Sequence, residues 1–168
     1  MSSMRRQAIF EVNSMTIVRY TGLRLHKVMR IDTAIARLTL KNGYITIKGK
    51  GGKVREVPIN EPAQEQLEKF LSLTNPGNKL FVPNGKQTHI TKTELENFIR
   101  RHRKCVQSPD SECPVTFYGL RHTAASVWYS QLLSQGKSEY EARLQVSKWL
   151  GHERDDVTRI YLSGSLDV

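Results

Sequence analysis

The stretch YITIKGKGGKVREVPI, residues 44–59, limits what this chain can fold into more than any other. Apolar and polar residues alternate on both sides of a lysine- and glycine-rich centre. Period-two patterning around a glycine turn predicts an antiparallel hairpin. The preceding AIARLTL, residues 34–40, alternates in the same way and is joined to the hairpin by Lys-Asn-Gly. The expectation is a three-stranded meander over 34–40, 44–50 and 53–59. The segments around it read at helical spacing. Residues 8–29 form a helical run with a break at Gly22, and Asn60 and Pro62 open a helix over 62–73. Residues 75–87 are turn and loop with a short apolar centre, 91–105 a helix and 108–114 a loop. Further helices are expected over 116–134, 138–150 and 155–161. No repeat or linker divides the chain. The expected fold class is α+β, a mostly helical single domain over 1–168 with a small three-stranded antiparallel sheet at one edge.

A chain of 168 residues, 38% of them hydrophobic, can bury one core but not two ordinary ones. Lysine and arginine number 26 against 16 acidic residues, a net charge of +10. Such a surplus either keeps a surface soluble or meets a polyanion, most often nucleic acid. Cys105 and Cys113 make neither a disulfide framework nor a CxxC metal pair. The start MSSMRRQAIF lacks an apolar signal stretch and no later run would span a bilayer, so a soluble, cytoplasmic protein without a membrane partner is expected. GKGGK lacks the spacing and the Ser/Thr of a phosphate loop, and a strand follows it rather than a helix. There is no HExxH and no Cys/His ligand set, and the acidic cluster ERDD at 153–156 has no partners placed to hold two magnesium ions. A reaction with no metal and no cofactor is expected.

The residues suited to chemistry are cations at structural corners. Arg24 follows a glycine in TGLRLHK, and Lys48, Lys50, Lys53 and Arg55 crowd the hairpin. Arg121, in YGLRHTAAS, lies in the first two turns of its helix, where backbone amides and the helix dipole also favour an anion. His152 follows Gly151 at a helix end, and Tyr161 lies nine residues beyond it. Taken singly, these read as solvated arginines, a polar turn lysine, a capping histidine and a packing aromatic. Displacement at a phosphodiester needs the whole set at once. Two arginines can grip the nonbridging oxygens and a histidine can donate another hydrogen bond. A lysine can protonate the departing alkoxide, and a tyrosine hydroxyl can be the nucleophile.

In this combination the sequence resembles the catalytic domain of the tyrosine recombinases, the phage-integrase family. YTGLRLHKV resembles the family's first arginine box, with Arg24 on its arginine. ITIKGKGGKVREVPI resembles the hairpin of the active-site lysine, with Lys50 in that place. LRHTAAS resembles the second box through Arg121, and WLGHERDDVTRIY the last, through His152 and Tyr161. The resemblance runs from about Ala8 to the end. It implies that Tyr161 attacks a DNA phosphate, forms a 3′-phosphotyrosyl bond and releases a 5′-hydroxyl. A 5′-hydroxyl of a partner strand then reverses the step, without metal or ATP. Arg24, Lys50, Tyr118, Arg121, His152 and Tyr161 would be the catalytic set, with Lys48, Lys53 and Arg55 on DNA phosphates. The implied partners are double-stranded DNA at recombination sites and other recombinase subunits, as a tetrameric synapse in a full-length protein.

Two positions depart from the family pattern. Tyr118 stands where the family usually has a histidine, three residues before the second arginine, and His122 lies one turn after it. Lys27 stands where the first box usually has a carboxylate. The chain ends seven residues after Tyr161, and the family's N-terminal DNA-binding domain has no counterpart in it. The expectation is a catalytic domain alone, binding DNA weakly. A noncatalytic DNA-binding relative and a tyrosine-dependent topoisomerase-like enzyme remain alternatives.

Overall fold

The computed structural model describes residues 3–108 and 114–152. Helix α1 (Ser3–Thr21) ends at Gly22, whose φ of 55° lies in the left-handed region. A short turn of helix, α2 (Leu25–Val28), follows, and then α3 (Thr33–Asn42). Strands β1 (Tyr44–Lys48) and β2 (Val54–Pro58) flank a 3-10 turn at Lys50–Gly52. Helices α4 (Glu61–Leu73), α5 (Thr88–Val106), α6 (Phe117–Ser134) and α7 (Glu139–Leu150) complete the described part. The expected helix over 155–161 lies outside the described residues.

The sheet among the described residues has two strands rather than three. Residues 34–40, expected as a strand, lie inside α3. The reason is capping. The Asp32 side chain accepts from Ile35 N at 2.8 Å and Gly43, at φ 76°, closes the other end. The buried positions are Thr33, Ala36 and Thr39, a helical spacing, whereas Leu38 on the alternating pattern is 54% exposed. The other two strands pair antiparallel as expected, with Ile45 opposite Val57 and Ile47 opposite Arg55. Ile45, Ile47 and Val57 face the core. The fold class is otherwise as expected, mostly helical with a small antiparallel sheet.

Helix α1 packs on α4 and α6, α6 on α7, and the hairpin lies between α3 and α7. The loop after α4 is anchored where Leu80 N donates to Ile31 O, which buries the short apolar run Leu80, Phe81 and Val82. Helix α6 buries Arg121, Ala124, Ala125, Trp128, Tyr129 and Leu132, one continuous stripe at helical spacing. Helix α7 opens with a capping box between Ser138 and Glu141 and ends at Gly151, φ 69°. Trp149 stacks edge-on against Trp128, so α7 seats its last turn on α6. This brings the ends of α1 and α7 beside the hairpin. No helix among the described residues is long and apolar enough to cross a membrane.

Candidate active site

Two helix ends meet around one side chain. Arg121 is 1% exposed, and its guanidinium donates to the carbonyls of Gly22 and, at 2.7 Å, of Leu150. Both carbonyls terminate helices, α1 and α7, where backbone acceptors lack an intrahelical partner and the dipole is negative. A buried cation is costly unless it is hydrogen-bonded. Among the described residues the compensation comes from two helix C-termini. Nη2 of Arg121 also lies 3.3 Å from His152 Nε2. A guanidinium only donates, so that ring nitrogen accepts and the imidazole is neutral with its proton on Nδ1.

In front of Arg121 opens a pocket of about 630 Å³ lined by Arg24, His26, Lys27, Gly49, Lys53, Val54, Arg55, Lys148, Gly151 and His152. Five of these residues are lysine or arginine and none is acidic. The charge acts on the ionisable groups themselves. Burial, and then Arg121, Arg24, Arg55 and His122, push His152 down to about 4. Burial, and then Arg121 and Arg24, lower Arg55 to about 10. His26 is lowered by burial, Lys27, Arg30, Arg24 and Lys92. Such a lining favours an anion.

Each wall has a local cause. Arg24 caps the short helix α2, its carbonyl taking the amides of Lys27 and Val28. The hairpin closes through Gly49 N donating to Lys53 O at 2.7 Å, with Gly51 and Gly52 at φ 69° and 78°. Arg55 points from β2 across to the end of α7, where its guanidinium lies directly on Gly151. A Cβ at that glycine would strike it. The Nε of Arg55 is buried with no hydrogen-bond partner among the described residues. A buried donor of this kind is costly to leave unmade, and a phosphate oxygen would satisfy it.

Of the residues singled out from the sequence, Arg24, Lys53, Arg55 and His152 line the pocket, and Arg121 lies buried behind His152 without lining it. Lys50 begins the turn that follows Gly49 at the pocket edge. Lys48 is exposed and is not a lining residue; its carbonyl, not its ammonium, takes part. Tyr118 is 59% exposed on the first turn of α6 and packs edge-on against His122, ring centroids 4.6 Å apart. Tyr161 lies outside the described residues. Sequence reasoning missed Lys148 as a lining residue. Its signal was its place one helical turn before His152 in the last turn of α7. Among the described residues no three His, Cys, Asp or Glu side chains cluster as metal ligands.

The family model described as the phage integrase family matches residues 1–165, nearly the whole chain. This chain belongs to the phage integrase family. Among curated relatives of this integrase-family chain, the tyrosine recombinase XerC of Thermodesulfovibrio yellowstonii is 30% identical over 152 residues, 84% of this chain and 46% of the relative. The tyrosine recombinase XerC of Lactobacillus leichmannii is 27% identical over 146 residues, 87% of this chain and 48% of the relative. The chain thus spans about half the length of the curated relatives it matches. The crystal structure of XerA recombinase superposes with a TM-score of 0.64 at 24% identity, covering 96% of this chain and 58% of that one. The Tn1549 transposon integrase, in complex with circular intermediate DNA, gives 0.63 at 14% identity, covering 96% and 61%. Both share the fold.

Proposed function

We propose that this integrase-family chain is the catalytic domain of a site-specific DNA recombinase, acting on double-stranded DNA without metal or ATP. The observation that carries the reading is the lysine- and arginine-rich pocket in which Arg24, Lys53, Arg55 and His152 meet beside the buried Arg121. A scissile phosphate fits this chemistry. Arg24 and Arg55 would grip its nonbridging oxygens, which gain charge in the transition state. Neutral His152 would donate one hydrogen bond from Nδ1, and Arg121 would hold the imidazole and add its field from behind.

In the reaction the phenolic oxygen of Tyr161 bonds to phosphorus and the bond to the 5′-oxygen breaks. Lys50 gives that oxygen its proton, and the proton lost from the phenol balances the exchange. The product is a 3′-phosphotyrosyl link and a free 5′-hydroxyl. A partner strand's 5′-hydroxyl, presented in a synapse of several subunits, reverses the chemistry on a new junction. Tyr118 would touch a phosphate oxygen through its hydroxyl, a hydrogen-bonding role in place of a basic one. Lys48 and Lys53 would contact flanking phosphates.

The test uses a DNA duplex nicked near the cleavage point, so that the released fragment diffuses away and the covalent adduct accumulates. Wild type should form the adduct in the presence of chelator, and Tyr161→Phe should form none while still binding DNA. An adduct that persists in Tyr161→Phe, or that requires magnesium, overturns the mechanism. A noncatalytic DNA-binding relative is favoured by one observation, the engagement of Arg121 with protein carbonyls at 1% exposure. That reading predicts no adduct from wild type under any condition.

A further inference from the structure

We propose that Lys27 is a positioning residue, holding the lysine-bearing hairpin in place through the hydrogen bond from its ammonium to the Lys48 carbonyl. The Nζ to oxygen distance is 2.6 Å, and the bond joins α2 to the last residue of β1, immediately before the Gly49–Lys53 turn. A donor with full charge makes this a strong tether for its length.

The turn needs such a tether. Gly51 and Gly52 both lie at positive φ, and a Cβ on either would meet nothing within 4 Å, so the tip projects into open space. Glycines in these conformations are permissive and leave the tip little intrinsic order. Among the described residues two contacts hold its base, Gly49 N bonding Lys53 O on one side and Lys27 holding Lys48 on the other.

The choice of residue supports the same conclusion. The first box of the resemblance usually has a carboxylate at this position, and a carboxylate cannot donate to a carbonyl. Lys27 instead adds a cation to a lining that already contains Arg24 and Arg55. Repulsion opposes that placement, and the Lys48 carbonyl is the acceptor that offsets it. This inference rests on the strand-transfer reading for its consequence. If Lys50 delivers the proton to the departing 5′-oxygen, the tether sets how often that ammonium is in reach, so loss of the tether should slow the cleavage step itself, measured with DNA saturating.

The experiment has two arms on the full chain. The first measures amide hydrogen exchange over residues 49–54 in DNA-free protein, for wild type, Lys27→Met and Lys27→Glu, with Lys137→Met as a remote loss of one charge. Both Lys27 variants should exchange faster by about tenfold, the effect of one charge-assisted hydrogen bond; Lys137→Met should not. The second arm measures single-turnover cleavage of the nicked duplex. Both Lys27 variants should cleave about tenfold slower at saturating DNA. A substrate whose bridging 5′-oxygen is replaced by sulfur, a leaving group that needs no proton, should restore their rates. Unchanged exchange in Lys27→Met, cleavage by Lys27→Glu at or above wild type, or no rescue by sulfur would each overturn the proposal. Failure of wild type to cleave at all would count against the strand-transfer reading, while the exchange arm would still judge the tether.

Discussion

Arg121 and Gly22 lie 99 residues apart in sequence, and the guanidinium of the first donates to the carbonyl of the second. The same group takes the Leu150 carbonyl, so one side chain of α6 fastens the ends of α1 and α7 and fixes the spacing between Arg24 and His152. Arg121→Ala should therefore damage stability as well as chemistry. It leaves two helix-terminal carbonyls without their donor, at about 1–3 kcal/mol for each buried group. At about 2–4 °C per kcal/mol for a domain of this size, the melting temperature should fall by roughly 4–24 °C. Arg121→Lys should recover only part, because one ammonium does not reproduce the fork. An Arg121→Ala protein that melts with wild type would remove the cross-tie.

Arg55 and Gly151 give a second prediction. The backbone at Gly151 has φ 69°, and a Cβ there would collide with the Arg55 guanidinium. Gly151→Ala should cost about 1–2 kcal/mol from the left-handed conformation alone, with a further steric part. That part should vanish in an Arg55→Ala background, giving a coupling of about 0.5–3 kcal/mol in a double-mutant cycle. Strict additivity in denaturant unfolding would show that the contact contributes nothing.

Much of this site can be read from the chain because the residues that line it follow structural punctuation. Arg24 comes two residues after the glycine that ends α1, Lys53 and Arg55 follow the glycine turn, and His152 follows the glycine that ends α7. The burial of Arg121 was also written in the sequence, since it heads the stripe that continues through Ala124, Ala125, Trp128 and Tyr129. A charged side chain in phase with a core stripe points inward whatever its motif suggests. Helix α3 was misread because Ala34, Ala36, Leu38 and Leu40 alternate as a strand would, while the deciding signals were Asp32 and Gly43 at its ends. Lys27 reaching Lys48 could not be read at all. It depends on how α2 docks beside β1, and local pattern does not encode that.

The pocket's charge should also govern the salt dependence of DNA binding. Each phosphate neutralised contributes about −0.9 to the slope of log affinity against log salt. Lys53 is exposed at the pocket edge, so Lys53→Ala should lessen the slope by about one unit with little change in fold. Fluorescence anisotropy on a labelled duplex across a salt series measures it. A slope identical to wild type would place Lys53 off the DNA.

The sharpest test of the pocket's electrostatics is the titration of His152. Burial and the neighbouring arginines hold it at about 4 in the folded protein, against 6.5 for the free side chain. A folded value below the unfolded one means that the unfolded chain binds the extra proton between those limits. Stability contributed at this site is therefore fully present above about pH 6.5 and is lost as pH falls toward 4. Bound phosphate adds negative charge beside the ring and raises its affinity for a proton, so DNA binding should take up a proton in the same window and tighten as pH falls. NMR of the imidazole should follow the ring to a midpoint near 4 without DNA and to a higher one with it. His26 is depressed too, so the comparison with His152→Gln isolates the effect, and that variant should lose most of the acid sensitivity of binding. A His152 ring that titrates near its free value in the DNA-free protein would mean that the arginines do not converge on it, and the pocket described here would not hold.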